Sequence, residues 1–94
     1  MNQHQPPKPK KAAALKYEHG QDNAPRIVAK GRGKLAENII DLAARHDVPM
    51  VQDPNLAQML DALDINVEIP PELYHAVAEV LAFVYRLNRD VDAR

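Results

Sequence analysis

The stretch KGRGK, Lys30–Lys34, places two glycines among three cationic side chains, between a predicted strand and a predicted helix. Backbone amides at such a junction can bind phosphate. The stretch lacks the third glycine of a dinucleotide-binding fingerprint and the Gly-Lys-Ser/Thr ending of a P-loop. The simpler interpretation is that Gly31 and Gly33 allow a tight turn into the helix. A phosphate or nucleotide site at Lys30–Lys34 is the alternative.

The side chains that catalysis or metal binding would need are absent or scattered. The sequence has no Cys, Ser or Thr, so covalent catalysis would fall to other nucleophiles, none of which has an evident activating neighbour. The histidines show no ligand spacing, and the carboxylates occupy predicted cap and surface positions. We therefore expect a non-enzymatic chain with no metal and no cofactor. The residues considered are His4, His19, His46, His75, Asp41, Asp47, Asp53, Asp61 and Asp64.

The net charge of −1 conceals two halves of opposite sign. Residues 1–34 contain eight Lys/Arg and two Asp/Glu, which gives +6, whereas residues 35–94 contain four Arg and eleven Asp/Glu, which gives −7. Such a separation can steer association with a charged partner. The favoured and simpler interpretation is a solvated basic tail on an acidic domain. Nucleic acid is not the partner expected, because the basic N-terminal residues include no aromatic side chain and no predicted helix carries a basic stripe.

The composition also divides the chain into segments. Residues 1–11 are rich in Pro, Lys and amides and predict a disordered arm, residues 12–88 predict one small domain, and residues 89–94 predict a polar tail. No apolar run reaches the length of a membrane span, and the polar start is not a signal peptide. These features favour a cytoplasmic protein.

The first half of the domain is predicted to alternate strands with a helix. Ala12–Tyr17 (AAALKY) has an apolar strand's character, although its alanines equally suit a helix. Arg26–Gly31 is a clearer strand, and apolar residues at helical spacing predict a helix from Gly33 to about His46. Val48–Gln52 (VPMVQ) then predicts a short buried strand. Strand, helix and strand in succession predict a right-handed crossover between parallel strands.

The second half is predicted to be helical. Asp53 and Pro54 are suited to the cap and first position of a helix, and Asp64–Pro70 reads as an extended connector. Pro71 begins a last helix that is apolar over more than half of its circumference, which indicates broad burial or a further contact. The order β-β-α-β-α-α predicts a single α/β domain, with a small three-stranded mixed sheet packed with about three helices.

Four strings in combination are similar to one known domain. AAALKY, RIVAKGRG, VPMVQDPNLAQML and IPPELYHAVAEVLAFVYRL resemble the C-terminal cytoplasmic domain of the FlhB/YscU family, the export-switch component of flagellar and virulence type III secretion systems. The resemblance covers Ala12 to about Leu87. It implies that AAALKY is a strand and that the family's four-stranded sheet is the reference fold.

The family's self-cleaving motif has no counterpart in this chain. Members carry Asn-Pro-Thr-His just before the strand that AAALKY resembles, and the asparagine side chain cyclises to break the backbone. Counted back from Tyr17, the four motif positions are occupied here by Pro7, Lys8, Pro9 and Lys10. The resemblance therefore implies a chain that does not cleave itself.

The resemblance also implies a docking patch. In flagellar members, a small apolar patch is implicated in docking early export substrates, and the matching positions here are Ala24, Pro25, Ala78 and Leu81. The implied function is a non-enzymatic component or accessory of the flagellar export apparatus. It would bind apparatus proteins and export substrates of the rod or hook type, in place of or beside the cleaved fragment. The implied location is the cytoplasm, or the periphery of the export gate on the inner membrane.

Overall fold

The computed structural model describes residues 9–18 and 20–92, with side chains described as far as residue 87. Its regular elements follow the order strand, strand, helix, helix, helix. They are β1 (Lys11–Lys16), β2 (Arg26–Arg32), α1 (Lys34–Arg45), α2 (Pro54–Asp61) and α3 (Tyr74–Asp92), with a 3-10 turn at Pro71–Leu73 leading into α3.

Strands β1 and β2 form an antiparallel hairpin. The register pairs Lys11 with Arg32 at one end and Lys16 with Arg26 at the other, with an irregularity after Ala14. Ala14 faces Ala29, and the next residue of β1, Leu15, faces Ile27. Val28 therefore has no partner in β1 and forms a β-bulge in β2. Both predicted strands are confirmed, as is the mixed α/β class.

Ile27 lies at the centre of the core. Its side chain is fully buried and packs in one cluster with residues from α2, from the connector that precedes α3, and from α3 itself. Residues of β1 pack around this cluster at its margin. The hairpin thus contributes one face to the core, and the two later helices cover that face. The core cluster consists of Ile27, Leu56, Leu60, Ile69 and Val77.

The outer edge of β2 is covered by the connector before α3. The amide of Ile27 donates to the carbonyl of Val67 (3.2 Å) and its carbonyl accepts from the amide of Asn66 (2.6 Å). The amide of Ile69 donates to the carbonyl of Pro25 (2.8 Å). Asn66 takes a positive φ of 70°, a conformation that asparagine adopts more readily than most residues. The connector therefore occupies the edge at which a third strand would pair with β2.

The predicted strand Val48–Gln52 is wrong, and with it the parallel crossover and the third strand. In the described residues the sheet has two antiparallel strands, and residues 48–52 have no regular structure. The end of α1 explains part of the difference. Asp47 adopts a left-handed conformation (φ 57°), and the amide of Val48 donates back to the carbonyl of Ala43 (2.9 Å), as in a Schellman motif. Residues 48–52 cannot pair as a strand here for two reasons. The amide of Val48 is used by the helix cap, and the connector already pairs with the free edge of β2.

Helix α2 ends on cations supplied by β2. The helix has no basic residue in its own last turn, but the ammonium of Lys30 donates to the carbonyls of Asp61 and Leu63. The guanidinium of Arg32 also pairs with the carboxylate of Asp61, with an Nη2–Oδ2 distance of 2.7 Å. These contacts satisfy carbonyls that a helix end leaves without partners, and they tie α2 to the hairpin.

The Arg32–Asp61 pair makes the stability of the domain depend on pH. The hydrogen bond from Arg32 lowers the pKa of Asp61 below its ordinary value, and the positive charges nearby add to this effect. A carboxyl whose pKa falls on folding stabilises the protein above its unfolded pKa of about 4, and this contribution is lost as the pH falls through the folded pKa. We expect Asp61→Asn to lower the urea midpoint at neutral pH and to match the wild type in strong acid.

The control for this prediction is Asp41→Asn, which removes a carboxylate from the exposed Asp41–Arg45 pair in α1. We expect that change to have a much smaller effect at every pH, because exposed pairs contribute little. A gap between wild type and Asp61→Asn that stayed constant from neutral to acidic pH would contradict the proposed charge effect.

The left-handed residue at the end of α1 gives a second prediction. Glycine adopts this conformation without the steric cost that Asp47 bears, so Asp47→Gly should raise the free energy of unfolding by about 0.5–1 kcal/mol. Asp47→Asn keeps the Cβ atom but removes the charge from the helix C-terminus. It should raise the free energy of unfolding by only about 0.3 kcal/mol. If urea denaturation showed equal stabilisation by both variants, the prediction would be wrong. The gain would then come from removing the negative charge and not from relieving the backbone conformation.

Candidate functional site

The four residues of the predicted docking patch line one shallow pocket. Ala24 and Pro25 come from the loop before β2, whereas Ala78 and Leu81 come from α3. The pocket has a volume of about 240 Å³. Its remaining lining residues are Tyr17, Asn23, Tyr74 and Val77.

The loop side of this docking pocket is held by turn and backbone contacts. The carboxylate of Asp22 accepts from the amide of Glu18 (2.8 Å), and the amides of Gln21 and Asp22 donate to the carbonyl of Glu18. Ala24 is buried, with 3% of its surface exposed, and Pro25 beside it is also buried. These two residues therefore form a fixed floor, because their positions are set by the turn on one side and by the pairing with Ile69 on the other.

The helix side of the docking pocket follows from the spacing of its residues along α3. Positions 74, 77, 78 and 81 share one face of a helix. Val77 is buried in the core, which orients that face toward the loop, while Ala78 is exposed and Leu81 is half-buried. No charged side chain lines the pocket. A small apolar pocket of this kind suits an inserted apolar side chain.

The four degenerate cleavage positions lie partly outside the described residues. Pro7 and Lys8 are among the residues that the structure does not describe. Pro9 and Lys10 are exposed and lead directly into β1, and the carbonyl of Lys10 accepts from the amide of Gly33 (2.8 Å). The absence of autocleavage stays a prediction from the residue types at these positions.

The geometry of Lys30–Lys34 favours a structural role. Lys30 and Arg32 are bound to the end of α2, as described above, so two of the three cations have intramolecular partners. Gly33 has φ 57° and ψ −123°, a conformation that favours glycine at the start of α1. Gly31 has no room for a Cβ atom, because the side chain of Leu35 packs against it. Side-chain packing therefore explains the glycine at position 31, and backbone conformation explains the glycine at position 33. Neither glycine requires a bound phosphate, in line with the simpler interpretation of Lys30–Lys34.

Among the described residues, no three side chains of the His, Cys, Asp or Glu types come together as a metal site. His46 caps α1, and His75 lies 3.0 Å from the carboxylate of Glu79 on the exposed surface of α3. His4 and His19 lie outside the described residues.

Sequence reasoning missed a second and larger groove, of about 480 Å³, on another side of α3. The signal that could have found it is the width of the apolar face of α3, because a helix that is apolar over more than half of its circumference has more than one surface to cover. The groove lies between residues 50–53 and the side of α3 that carries Ala76, Val80 and Phe83.

Comparison with known proteins gives a consistent result. A profile of the FlhB HrpN YscU SpaS family matches residues 9–84. YlqH of Bacillus subtilis, an uncharacterised protein, is 40% identical over 82 residues, which cover 87% of this chain and 88% of YlqH. The flagellar biosynthetic protein FlhB of Aquifex aeolicus is 45% identical over 83 residues, 87% of this chain but only 24% of that protein. This chain thus spans about a quarter of the length of that FlhB relative.

The solved structures agree with the sequence comparison. The cytoplasmic domain of FlhB from Shewanella putrefaciens superposes with a TM-score of 0.75 at 34% identity, covering 80% of this chain and 63% of that one. Within the described residues, no helix combines the length and hydropathy that a membrane span requires. The family profile, the near full-length match to YlqH and the shared fold lead to one conclusion: this chain belongs to the FlhB/HrpN/YscU/SpaS family.

Proposed function

We propose that this chain is a non-enzymatic, FlhB-like component or accessory of the flagellar type III protein export apparatus. It binds export substrates of the rod or hook type, or apparatus proteins, in place of or beside the cleaved fragment of the export switch. The observation that carries the proposal is the docking pocket, in which Ala24, Pro25, Ala78 and Leu81 meet although more than fifty residues separate its two sides.

The chemistry of the docking pocket supports binding of a short apolar anchor. The floor is formed by small, buried side chains, and the rim carries the half-exposed ring of Tyr74. Tyrosine gives such a rim a rigid apolar surface with one polar end. A pocket of about 240 Å³ accepts one or two side chains rather than a whole helix, so it fits recognition of a short motif in a flexible partner segment.

The charge distribution supports a role in recognition beyond the pocket. The acidic excess of residues 35–94 and the basic excess of residues 1–34 give the chain two segments of opposite sign. Complementary charge raises the rate of encounter more than the final affinity. In the proposed function the docking pocket supplies the specific contact, and the chain works at the inner-membrane export gate as a peripheral protein.

A binding experiment tests the docking pocket directly. The full chain is immobilised and exposed to purified rod and hook subunits and to cytoplasmic domains of export-apparatus proteins. Ala78→Asp places an unpaired carboxylate at the pocket and should weaken binding by at least about tenfold, since burying a charge without a partner is costly. The matched control is Ala82→Asp, the same change at an exposed position one turn further along α3 that does not line the pocket.

The control should retain the affinity of the wild type to within about twofold, and both variants should unfold at similar urea concentrations, because both sites are exposed. Equal affinity of Ala78→Asp and wild type for every bound partner would refute the pocket as the docking site. Failure of the wild type to bind any of these proteins would refute the proposed function itself.

The proposed absence of autocleavage has its own test. None of the positions from 7 to 10 holds an asparagine, so no side-chain amide is available to attack the backbone there. The purified full chain should give one mass, that of the intact polypeptide, after prolonged incubation at mildly alkaline pH. A pair of fragments that break between residues 7 and 10 would contradict the proposal.

A further inference from the structure

The groove beside residues 50–53 is a second surface, separate from the docking pocket. It lies on another side of α3 and shares no lining residue with that pocket. Ala76 and Val80 form part of its wall and also pack against the hydrophobic core. The groove therefore lies beside the margin of the core, and Phe83 and Met50 on its sides are substantially exposed to solvent.

The backbone along one side of this groove is unpaired. Within the part of the chain that the structure describes, the amides and carbonyls of Met50, Val51 and Gln52 take part in no hydrogen bond. Yet residues 48–52 have the composition of a strand, because Val48 and Val51 are β-branched and Met50 is apolar. Asp53, which follows, has the extended angles φ −148° and ψ 90°. The segment has the composition of a strand without a neighbouring strand.

The side chains around the groove indicate what its occupant should carry. Apolar walls from Val51, Val80 and Phe83 would accept apolar side chains, which alternate along one face of an extended peptide. The carboxylates of Asp53 and Glu79 line the same groove and would attract a cation, and the one basic lining residue is His75, which lies beside Glu79. The matching ligand is an extended peptide whose apolar side chains face α3. Basic side chains between them point to its other face, and lysine is long enough to reach back to the exposed carboxylates of Asp53 and Glu79.

We propose that this groove binds an extended, basic segment of a partner protein, which pairs through its backbone with Met50–Gln52 and inserts apolar side chains against α3. This mode of binding adds a strand to a backbone edge and draws affinity from main-chain hydrogen bonds. The outer edge of β1 is a poorer site for the same peptide, because β1 begins and ends with a lysine, Lys11 and Lys16, that would repel a basic strand. The proposal does not depend on the identity of the partner of the docking pocket.

A peptide titration of the full chain tests this proposal. The probe is a synthetic eight-residue peptide in which valine alternates with lysine, and its comparison is the same peptide with glutamate in place of lysine. Backbone amide spectra and hydrogen exchange are recorded for the 15N-labelled chain. The lysine peptide should bind at least about tenfold more tightly than the glutamate peptide, because the carboxylates of the groove repel the latter.

The exchange pattern identifies strand pairing. Successive amides in a strand point to opposite sides, so the lysine peptide should slow exchange either at Met50 and Gln52 or at Val51, but not at all three. Phe83→Asp should weaken binding about tenfold or more. Tyr85→Asp, a matched change at an exposed aromatic residue of α3 outside the groove, should not.

Three results would overturn the proposal. They are no slowing at residues 50–52, slowing confined to residues 11–16 of β1, or equal loss of affinity in Phe83→Asp and Tyr85→Asp. None of these results bears on the docking pocket, since Ala78 and Leu81 lie outside the groove.

Discussion

The buried residue Ile27 joins β2 to α2, to the connector before α3 and to α3 itself. Its side chain lies in the core against α2 and α3, and both of its backbone groups bond to the connector that precedes α3. The docking pocket depends on this arrangement, because Ala24 and Pro25 lie just before Ile27 while the face of α3 opposite them is oriented by Val77 in the same cluster. With five fully or nearly fully buried side chains in that cluster, the domain has a small core, as a chain of this length should.

The sequence was sufficient for elements with a strong local signal. The β-branched residues of β2, the helical spacing in α1 and the Asp53–Pro54 start of α2 all correspond to observed elements, and the carboxylate of Asp53 does accept from the amide of Leu56. Val48–Gln52 shows where local reasoning fails. A strand requires a partner edge as well as suitable residues, and here the edge of β2 is taken by the connector Asn66–Ile69. Polar and β-branched residues alternate along that connector, so it also has a strand-like pattern, and local sequence alone could not decide which segment pairs with β2.

The same limit applies to the sites. Family resemblance located Ala24, Pro25, Ala78 and Leu81, and the fold brings them together, yet neither spacing nor composition would have paired a loop with a helix so distant in sequence. The cations of Lys30–Lys34 suggested a phosphate site because their partners could not be seen. The carbonyls at the end of α2 are backbone groups, and their need for a donor is visible only in the folded chain.

Helix α3 emerges as the element that serves both proposed surfaces, with one side facing the docking pocket and another facing the groove. The most direct test of this account is an amide shift map of the full 15N-labelled chain titrated with a purified rod or hook subunit. The account predicts shifts at Ala24, Ala78 and Leu81, with the amides of Gly31 and Gly33 unchanged. Shifts centred on Gly31 and Gly33, with none around the docking pocket, would contradict it.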